Sequence, residues 1–216
     1  RSKDQLENAV KYALETSFTH QAIIEDFIEG KEISVETVSW KGKHHILAYT
    51  DKVTSGYPHF VELEHHQPSI LVTDDIRPVL DQLVIRSLDA LEIEHGASHA
   101  EFIVNDSKEI FVTEIGARMG GDFIGSDLVM LSTGYDFLSG TIEIALGGFS
   151  EPELKVKDYA GVYFYTIYSR NVKSLAKLRP ENIIRNQLNT SLNKTLKQSA
   201  DRSGYFIYKS PENKYI

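Results

Sequence analysis

The chain has 216 residues, of which 41% are hydrophobic and 25% are charged, values typical of a soluble globular protein with one or two domains. Its net charge of −8 disfavours a general nucleic-acid-binding surface, which requires clustered Lys and Arg. The sequence contains no cysteine and no apolar run of the ~18 residues that would span a bilayer. We therefore expect a cytoplasmic protein that binds neither nucleic acid nor membranes.

The first 70 residues predict one helix followed by antiparallel strands. Segments 22–28, 32–39 and 44–50 are rich in β-branched residues and are separated by short turns, so they predict a three-stranded meander. Segment 51–70 is interrupted by glycine and proline and is expected to be irregular. The helix comes first, and the apolar stripe that we expect to pack on the sheet is formed by Leu6, Ala9, Val10, Ala13 and Leu14.

Residues 73–93 show the clearest helical pattern in the chain. Acidic residues stand at the start of this segment, Pro78 lies in its first turn, and an apolar stripe runs along one face. Two segments with alternating side chains follow, 100–104 and 110–115, and the residues between them are typical of turns. These two segments predict a β-hairpin.

The predicted hairpin brings two carboxylates together. If Asn105 pairs with Ile110 across a four-residue loop, then Glu101 lies directly opposite Glu114. Side-chain alternation also places Glu114 on the same strand face as Ile110 and Val112. Like charges directly opposite each other destabilise a sheet, and Mg²⁺ or Mn²⁺ would compensate them, because oxygen ligands suit these ions. The alternative is a solvated hairpin whose acidic residues face water.

A glycine-rich loop follows the second strand of the hairpin. Arg118 lies four residues after Glu114, between Gly116 and the pair Gly120-Gly121. A guanidinium beside backbone N–H groups that glycine leaves accessible is typical of an anion site. The sequence therefore predicts that phosphate or carboxylate oxygens bind next to the proposed metal.

The remaining chain predicts further short elements and gives little sign of a second metal site. Adjacent histidines, at 44–45 and 65–66, point to opposite faces of a strand and are poorly placed to bind one zinc ion together. The predicted elements are short helices at 127–131 and 135–146, an aromatic-rich strand at 162–168, a helix start at 180–185 and a strand at 204–209.

Two blocks of the sequence resemble the ATP-grasp superfamily. Glu101-Phe102 in one strand, followed by Glu114-Ile115-x-x-Arg118 at the end of the next, resembles the metal-binding end of that fold. Residues 23–36 resemble its adenine-hinge strand and the glutamate that contacts the ribose. The superfamily includes biotin carboxylase, the carbamoyl-phosphate synthetase large subunit, D-alanine-D-alanine ligase and the L-amino acid ligases. The resemblance covers residues 1–148 well and the remainder weakly.

The resemblance implies an α+β chain with the ATP-grasp fold, an antiparallel sheet flanked by helices. Residues 1–150 would form the larger, C-terminal part of the nucleotide- and metal-binding domain, and residues 151–216 a small appended α+β lobe. The family's Gly-rich lid and its upstream phosphate-binding lysines have no counterpart in the sequence. We therefore expect an incomplete and inactive fragment whose N-terminal portion is missing.

The resemblance also assigns roles to particular residues. Glu101 and Glu114 would hold the metal, Arg118 would steady the transferred phosphoryl group, and Lys52 would contact an ATP phosphate. A solvated surface lysine is the alternative for Lys52. The nucleotide-binding residues would be Glu25, Asp26, Phe27 and Ile28 at the adenine and Glu32 at the ribose hydroxyls, with core packing as the alternative for Phe27 and Ile28.

The implied function is ATP-dependent ligation of a carboxylate to an amine or a thiol through an acyl phosphate, with ATP and Mg²⁺ or Mn²⁺ as cofactors. The partners would be small carboxylate and amine substrates, and homodimer formation is left open. Two alternatives are an enzyme like carbamoyl-phosphate synthetase or biotin carboxylase that activates bicarbonate, and a nucleotide-binding module without turnover. Gly116 departs from the family, since many members have an asparagine there that would bind the metal.

Overall fold

The computed structural model describes residues 3–155, 158–168, 171–189 and 195–212. The strands are β1 Lys31–Trp40, β2 Lys43–Thr54, β3 Glu62–Gln67, β4 Gly96–Val104, β5 Ile110–Gly116, β6 Tyr159–Phe164, β7 Ile183–Leu188 and β8 Gly204–Ser210. The helices are α1 Lys3–Thr16, α2 Arg77–Ala90, α3 Val129–Thr133, α4 Phe137–Ala145 and α5 Val172–Leu178. The strands form one antiparallel sheet in the order β5-β4-β1-β2-β3-β6-β8-β7, which confirms the predicted α+β class.

Helix α2 covers one face of the sheet. Its buried residues Leu80, Val84 and Leu88 are spaced by four, so they lie on one side of the helix and pack against Ile33 and Phe102 of the central strands. The predicted helix is confirmed, although it is shorter at both ends than the 73–93 pattern. Burial of the apolar side chains on this face leaves the alternate side chains of the same strands on the opposite face.

Helices α3 and α4 cover part of that opposite face. Val129 and Phe137 pack there against Val38 of β1 and Ala97 of β4. Further along the same strands, towards Lys31 and Val104, polar side chains replace the apolar ones. The packing of the helices thus leaves a polar surface at one end of β1, β2 and β4.

The hairpin β4–β5 forms as predicted, but through a different register. Val104, rather than Asn105, pairs with Ile110, and a β-bulge at Thr113 then restores the pairing of Glu101 with Glu114. The predicted pairing is therefore confirmed, while the predicted four-residue loop is wrong. The bulge also reverses the strand faces: Ile110 packs in the α2 core, so the prediction that it shares a face with Glu114 is wrong.

Two further predictions for the first 70 residues are wrong, and a third is only partly right. Segment 22–28 forms no strand, because both edges of β1 are already paired, with β2 and β4. Segment 51–70 is only partly irregular, since residues 51–54 extend β2 and residues 62–67 form β3, while residues 55–61 and 68–70 lie outside strands. Helix α1 contains no buried residue, so its apolar stripe does not pack on the described part of the sheet.

The C-terminal strands extend the same sheet. β6 pairs with β3, and β8 and β7 follow it. The predicted helix at 180–185 is wrong, because a 3-10 turn at Pro180–Asn182 leads directly into β7, whose residues pair with β8. The division into residues 1–150 and 151–216 stays a prediction. No helix in the described ranges is both long and apolar enough to cross a membrane.

Candidate nucleotide and metal site

The register of the strands determines which side chains form the polar surface. Glu32 pairs with Lys52 across β1–β2, and Ser34 pairs with Glu101 across β1–β4. Residues directly opposite or two apart on neighbouring strands share a face, so Glu32, Lys52, Glu101 and Glu114 all project from the face opposite α2. The sheet therefore brings together four of the residues that the sequence predicts for the site.

The Glu101 carboxylate is tightly held by two cationic side chains. Lys52 Nζ donates to Glu101 Oε1 at 2.5 Å, and His99 Nε2 lies 2.9 Å from the same oxygen. Burial by itself raises the pKa of Glu101, but the His99 hydrogen bond and the Lys52 charge outweigh it and lower the pKa to about 2. Lys52 is only 5% exposed, so it is not the solvated surface lysine that was the alternative.

His99 connects Glu101 to a second, fully buried carboxylate. Its Nδ1 hydrogen-bonds Glu36 Oε1, and Glu36 has no exposed side-chain surface. Both ring nitrogens face carboxylates, so both carry protons and the ring is an imidazolium. Burial lowers the pKa of His99, but the bonds to Glu101 and Glu36 outweigh it and raise the pKa to about 9.

Glu114 and Arg118 form the exposed rim of this surface. Arg118 Nη2 lies 3.3 Å from Glu114 Oε1, and Arg118 Nη1 donates to the Met119 carbonyl at 3.0 Å. Glu114 is 60% and Arg118 54% exposed, so both can meet a ligand. Arg118, Lys52 and Glu101 line an open cleft of about 370 Å³.

Asp122 also lines this cleft and is held there by Arg202, a residue that the sequence did not indicate. Asp122 accepts two hydrogen bonds from Arg202, at 2.7 and 2.8 Å, and lies 3.9 Å from His65 Nε2. The Arg202 guanidinium also stacks on Phe164, 3.8 Å from the ring centroid. Burial raises the pKa of Asp122, but His65 and Arg202 outweigh it and hold the pKa well below its usual range. Arg202 therefore fixes the end of the Arg118 loop to the C-terminal strands.

A second cleft, of about 520 Å³, lies on the other side of Lys52. Phe27, Ile28 and Glu32 line it together with Lys52, as a nucleotide site would require. Glu25 and Asp26 are exposed and do not line it. Burial raises the pKa of Glu32, partly offset by the nearby Lys52 charge. The structure thus brings three of the five predicted nucleotide residues to one cleft.

The chemistry of the donors fits a hard divalent cation. Glu101 and Glu114 offer carboxylate oxygens from directly opposite positions, which suits Mg²⁺ or Mn²⁺. Within the described residues, no group of three or more His, Cys, Asp or Glu side chains could hold a metal alone. Mg²⁺ is usually bound by one or two carboxylates together with water and substrate phosphate.

Sequence reasoning missed Glu36, His99 and Arg202. A weak signal existed for the first two. Glu36 is the single charged residue in an otherwise uncharged run from Ile33 to Trp40, and His99 precedes Glu101 by two residues on the same strand face. Arg202 gave no local signal, because its partner Asp122 lies 80 residues away in the chain.

Solved structures with the same fold are available for comparison. An L-amino acid ligase from Bacillus licheniformis matches 98% of this chain and 55% of its own with a TM-score of 0.81 and 23% identity. A biotin carboxylase from Campylobacter jejuni, described as a complex with β-γ-ATP, matches 98% of this chain and 50% of its own with a TM-score of 0.69 and 16% identity. The chain thus has the fold of these proteins and spans about half their length.

Sequence comparison identifies the family. The model of the ATP-grasp domain matches residues 2–127, more than half of the chain, so the chain belongs to the ATP-grasp family. A D-alanine–D-alanine ligase from Christiangramia forsetii is 28% identical over 119 residues, which cover 51% of this chain and 36% of that protein.

Proposed function

We propose that this protein is an ATP-dependent ligase that joins a carboxylate to an amine or a thiol through an acyl phosphate. The observation that carries this proposal is that Lys52, Glu101 and Arg118 line one cleft, with Glu114 directly opposite Glu101 in the hairpin. Lys52 also lines the second cleft. The names of its relatives agree with it, since they include a D-alanine–D-alanine ligase and an L-amino acid ligase. Homodimer formation and a cytoplasmic location stay predictions.

The nucleotide would occupy the cleft lined by Phe27, Ile28, Glu32 and Lys52. In this arrangement the backbone at Ile28 offers groups to the adenine edge, and Phe27 lies along the ring. Glu32 accepts hydrogen bonds from the ribose hydroxyls. Because Lys52 lines both clefts, the phosphates would extend past it towards Glu101.

Glu101 and Glu114 would hold Mg²⁺ or Mn²⁺, which when bound supplies positive charge to the β- and γ-phosphates. Lys52 donates to Glu101 Oε1 and lies between the clefts, so it adds a second positive charge at the phosphates. Gly116 leaves the family's asparagine position without a side-chain oxygen, so either water would take that ligand's place or only one metal ion would be held firmly.

The reaction would proceed in two displacements. An oxygen of the substrate carboxylate attacks the γ-phosphorus, the bond to ADP breaks, and an acyl phosphate forms. The amine nitrogen then attacks the acyl carbon, phosphate leaves, and the nitrogen loses a proton. The planar fork of Arg118 would hold the oxygens on which negative charge develops, so its contribution is positioning and electrostatic stabilisation.

Two other functions are compatible with the same fold. A bicarbonate-activating enzyme would release ADP with bicarbonate and no other carboxylate, and the biotin carboxylase relatives make this the second candidate. A nucleotide-binding module would bind ATP without releasing ADP. ADP release measured with amino acids, with bicarbonate and with ATP alone separates the three cases.

The test of the proposed metal site is Glu114→Gln in the complete protein. This change removes the charge but keeps the shape of a side chain that is 60% exposed, so folding should be retained. Mg²⁺-dependent ADP release should fall by about two orders of magnitude or more. Glu109→Gln, an exposed glutamate at the turn of the same hairpin, is the matched control. Unchanged turnover in Glu114→Gln would discard the metal assignment.

A further inference from the structure

A continuous chain of hydrogen bonds runs beneath the proposed metal site. The backbone N–H of Gly120 donates to Glu36 Oε2 at 3.0 Å, and Glu36 Oε1 accepts from His99 Nδ1. His99 Nε2 then donates to Glu101 Oε1 at 2.9 Å. The chain links three segments that are distant in sequence: β1, β4 and the loop that carries Arg118.

The bonds to Glu101 are arranged asymmetrically. Lys52 and His99 both bond to Oε1, and no hydrogen bond from the described residues reaches Oε2. A carboxylate held through one oxygen cannot rotate freely about its terminal bond. The second oxygen is therefore kept available for a ligand in the cleft that Glu101 lines.

A stabilising role alone is a poor explanation for Glu36 and His99. Both side chains are at least 98% buried, and burial of charged groups is costly even when they are paired. Well-packed apolar residues in such places often stabilise a protein equally well or better. What an ion pair provides and apolar residues do not is a fixed direction for the group that it bonds.

We propose that Glu36 and His99 are positioning residues that fix the Glu101 carboxylate for the metal and, through Gly120, set the Arg118 loop relative to it. This inference rests on the proposed function. Partners of metal-binding side chains typically change metal affinity or activity about 10- to 100-fold when they are removed. Glu36 would not touch substrate or metal, because it reaches the cleft only through His99 and Gly120. His99 lines the cleft, but both of its ring nitrogens are already bonded to carboxylates, so it acts on the metal through Glu101.

The close approach of the loop supports this connection. A side chain on Gly120 would bring its Cβ to 2.8 Å from Glu36 Oε1 and 2.8 Å from His99 Nδ1. Only glycine leaves the backbone N–H free to reach the buried carboxylate at this point. The loop is therefore seated directly on the Glu36–His99 pair, two residues after Arg118.

The test compares two buried histidines in the complete protein. His99→Leu removes both hydrogen bonds of the proposed chain. His66→Leu is the matched control, because His66 is also fully buried and bonds a glutamate, Glu64, at 3.0 Å, but does not line the cleft. The measurements are thermal stability and Mn²⁺ binding in the presence of ADP by electron paramagnetic resonance. We expect both variants to lose stability, but only His99→Leu to bind Mn²⁺ about 10- to 100-fold more weakly.

His99→Leu leaves the Glu36 charge buried without its partner and could unfold for that reason. The double variant Glu36→Gln/His99→Leu removes that charge, and the glutamine oxygen can still accept from Gly120, so it provides a folded alternative with the same expected loss of Mn²⁺ affinity. Mn²⁺ affinity within about twofold of the unsubstituted protein in a folded variant would overturn the positioning role. Failure of the unsubstituted protein to bind Mn²⁺ with ADP would instead overturn the proposed function, and this inference with it.

Discussion

Residues 21–30 lie on one side of Lys52, and the end of the sheet that carries Glu101 (the Glu101 end) lies on the other. The two regions differ in secondary structure and in how far their side chains are buried. The first segment has no regular secondary structure, and most of its side chains are exposed, with Ile23 at 86% and Phe27 at 57%. At the Glu101 end, by contrast, Glu36, Lys52 and His99 are buried and joined by hydrogen bonds.

This difference follows from whether the backbone hydrogen-bonding groups of each region are paired with a neighbouring strand. The Glu101 end belongs to paired strands, so register alone aligns its side chains and neighbouring layers bury them. Residues 21–30 have no strand partner in the described part of the chain. The sheet therefore holds the proposed phosphate and metal end in place before a ligand binds, whereas strand pairing does not hold the adenine end.

The largest expected effect comes from comparing two phenylalanines, one in each region. Phe102 is 1% exposed in the α2 core, so Phe102→Ala should lower the free energy of unfolding by about 3 to 5 kcal/mol. Phe27→Ala should change it by less than about 0.5 kcal/mol, because Phe27 is mostly exposed. Urea denaturation measures both. A loss of more than ~2 kcal/mol in Phe27→Ala, well outside the range for exposed positions, would show that the adenine end is as firmly packed as the core.

The next prediction concerns Arg118→Lys. Lysine keeps the charge but loses the planar fork, so kcat should fall about 10²-fold if the contact tightens in the transition state. The alternative is a role in holding the loop, which would lower thermal stability and leave catalysis largely intact. The nearby Asp122 carboxylate would be an obvious partner for Arg118 in such a role, but it pairs with Arg202 instead. Near-normal kcat and KM would exclude the catalytic role.

Two adjacent glycines test how closely the Arg118 loop packs on Glu36 and His99. Gly120→Ala places a methyl group against Glu36 and His99 and should lower the free energy of unfolding by about 1 to 3 kcal/mol. Gly121→Ala meets nothing within 4 Å and should be close to neutral in stability. Thermal unfolding of the two variants measures the difference. Equal effects would mean that the loop is not packed on the buried pair.

The smallest effect is a dependence of stability on pH at Asp122. Its folded pKa lies below the unfolded value of about 4, so the ionised carboxylate contributes stability above that pH and loses it as pH falls. Asp122→Asn should therefore cost about 1 to 2 kcal/mol at pH 7 and progressively less below pH 4. Urea denaturation from pH 7 to pH 3 measures this difference. A difference that grows towards low pH would contradict the sign of the shift.

The hairpin that carries Glu101 and Glu114 could be predicted because its information is local. Alternation and turn residues defined both strands, and the two glutamates fell opposite each other. The agreement was partly fortuitous, since the loop was one residue longer than predicted and the bulge at Thr113 compensated for it. A bulge leaves no reliable trace in sequence, because it depends on how the partner strand twists and packs.

The adenine segment shows the opposite case. Residues 22–28 have the composition of a strand, but a strand forms only where an edge is available to pair with it. β1 has no such edge, because β2 and β4 occupy both sides. Phe27 and Ile28 still reach the cleft, so their predicted location did not depend on strand formation.

The sequence by itself determined the class of the chain, the main helix, the hairpin β4–β5 and, through two motifs, the family to which it belongs. Only the tertiary structure determined that Glu36, 63 residues away from His99, lies beneath the site. The same holds for Arg202, which hydrogen-bonds Asp122 at the cleft. The physical reason is the distance along the chain over which each kind of signal acts. Helix periodicity and strand alternation act over a few residues, whereas a buried ion pair depends on which strands become neighbours and in what register.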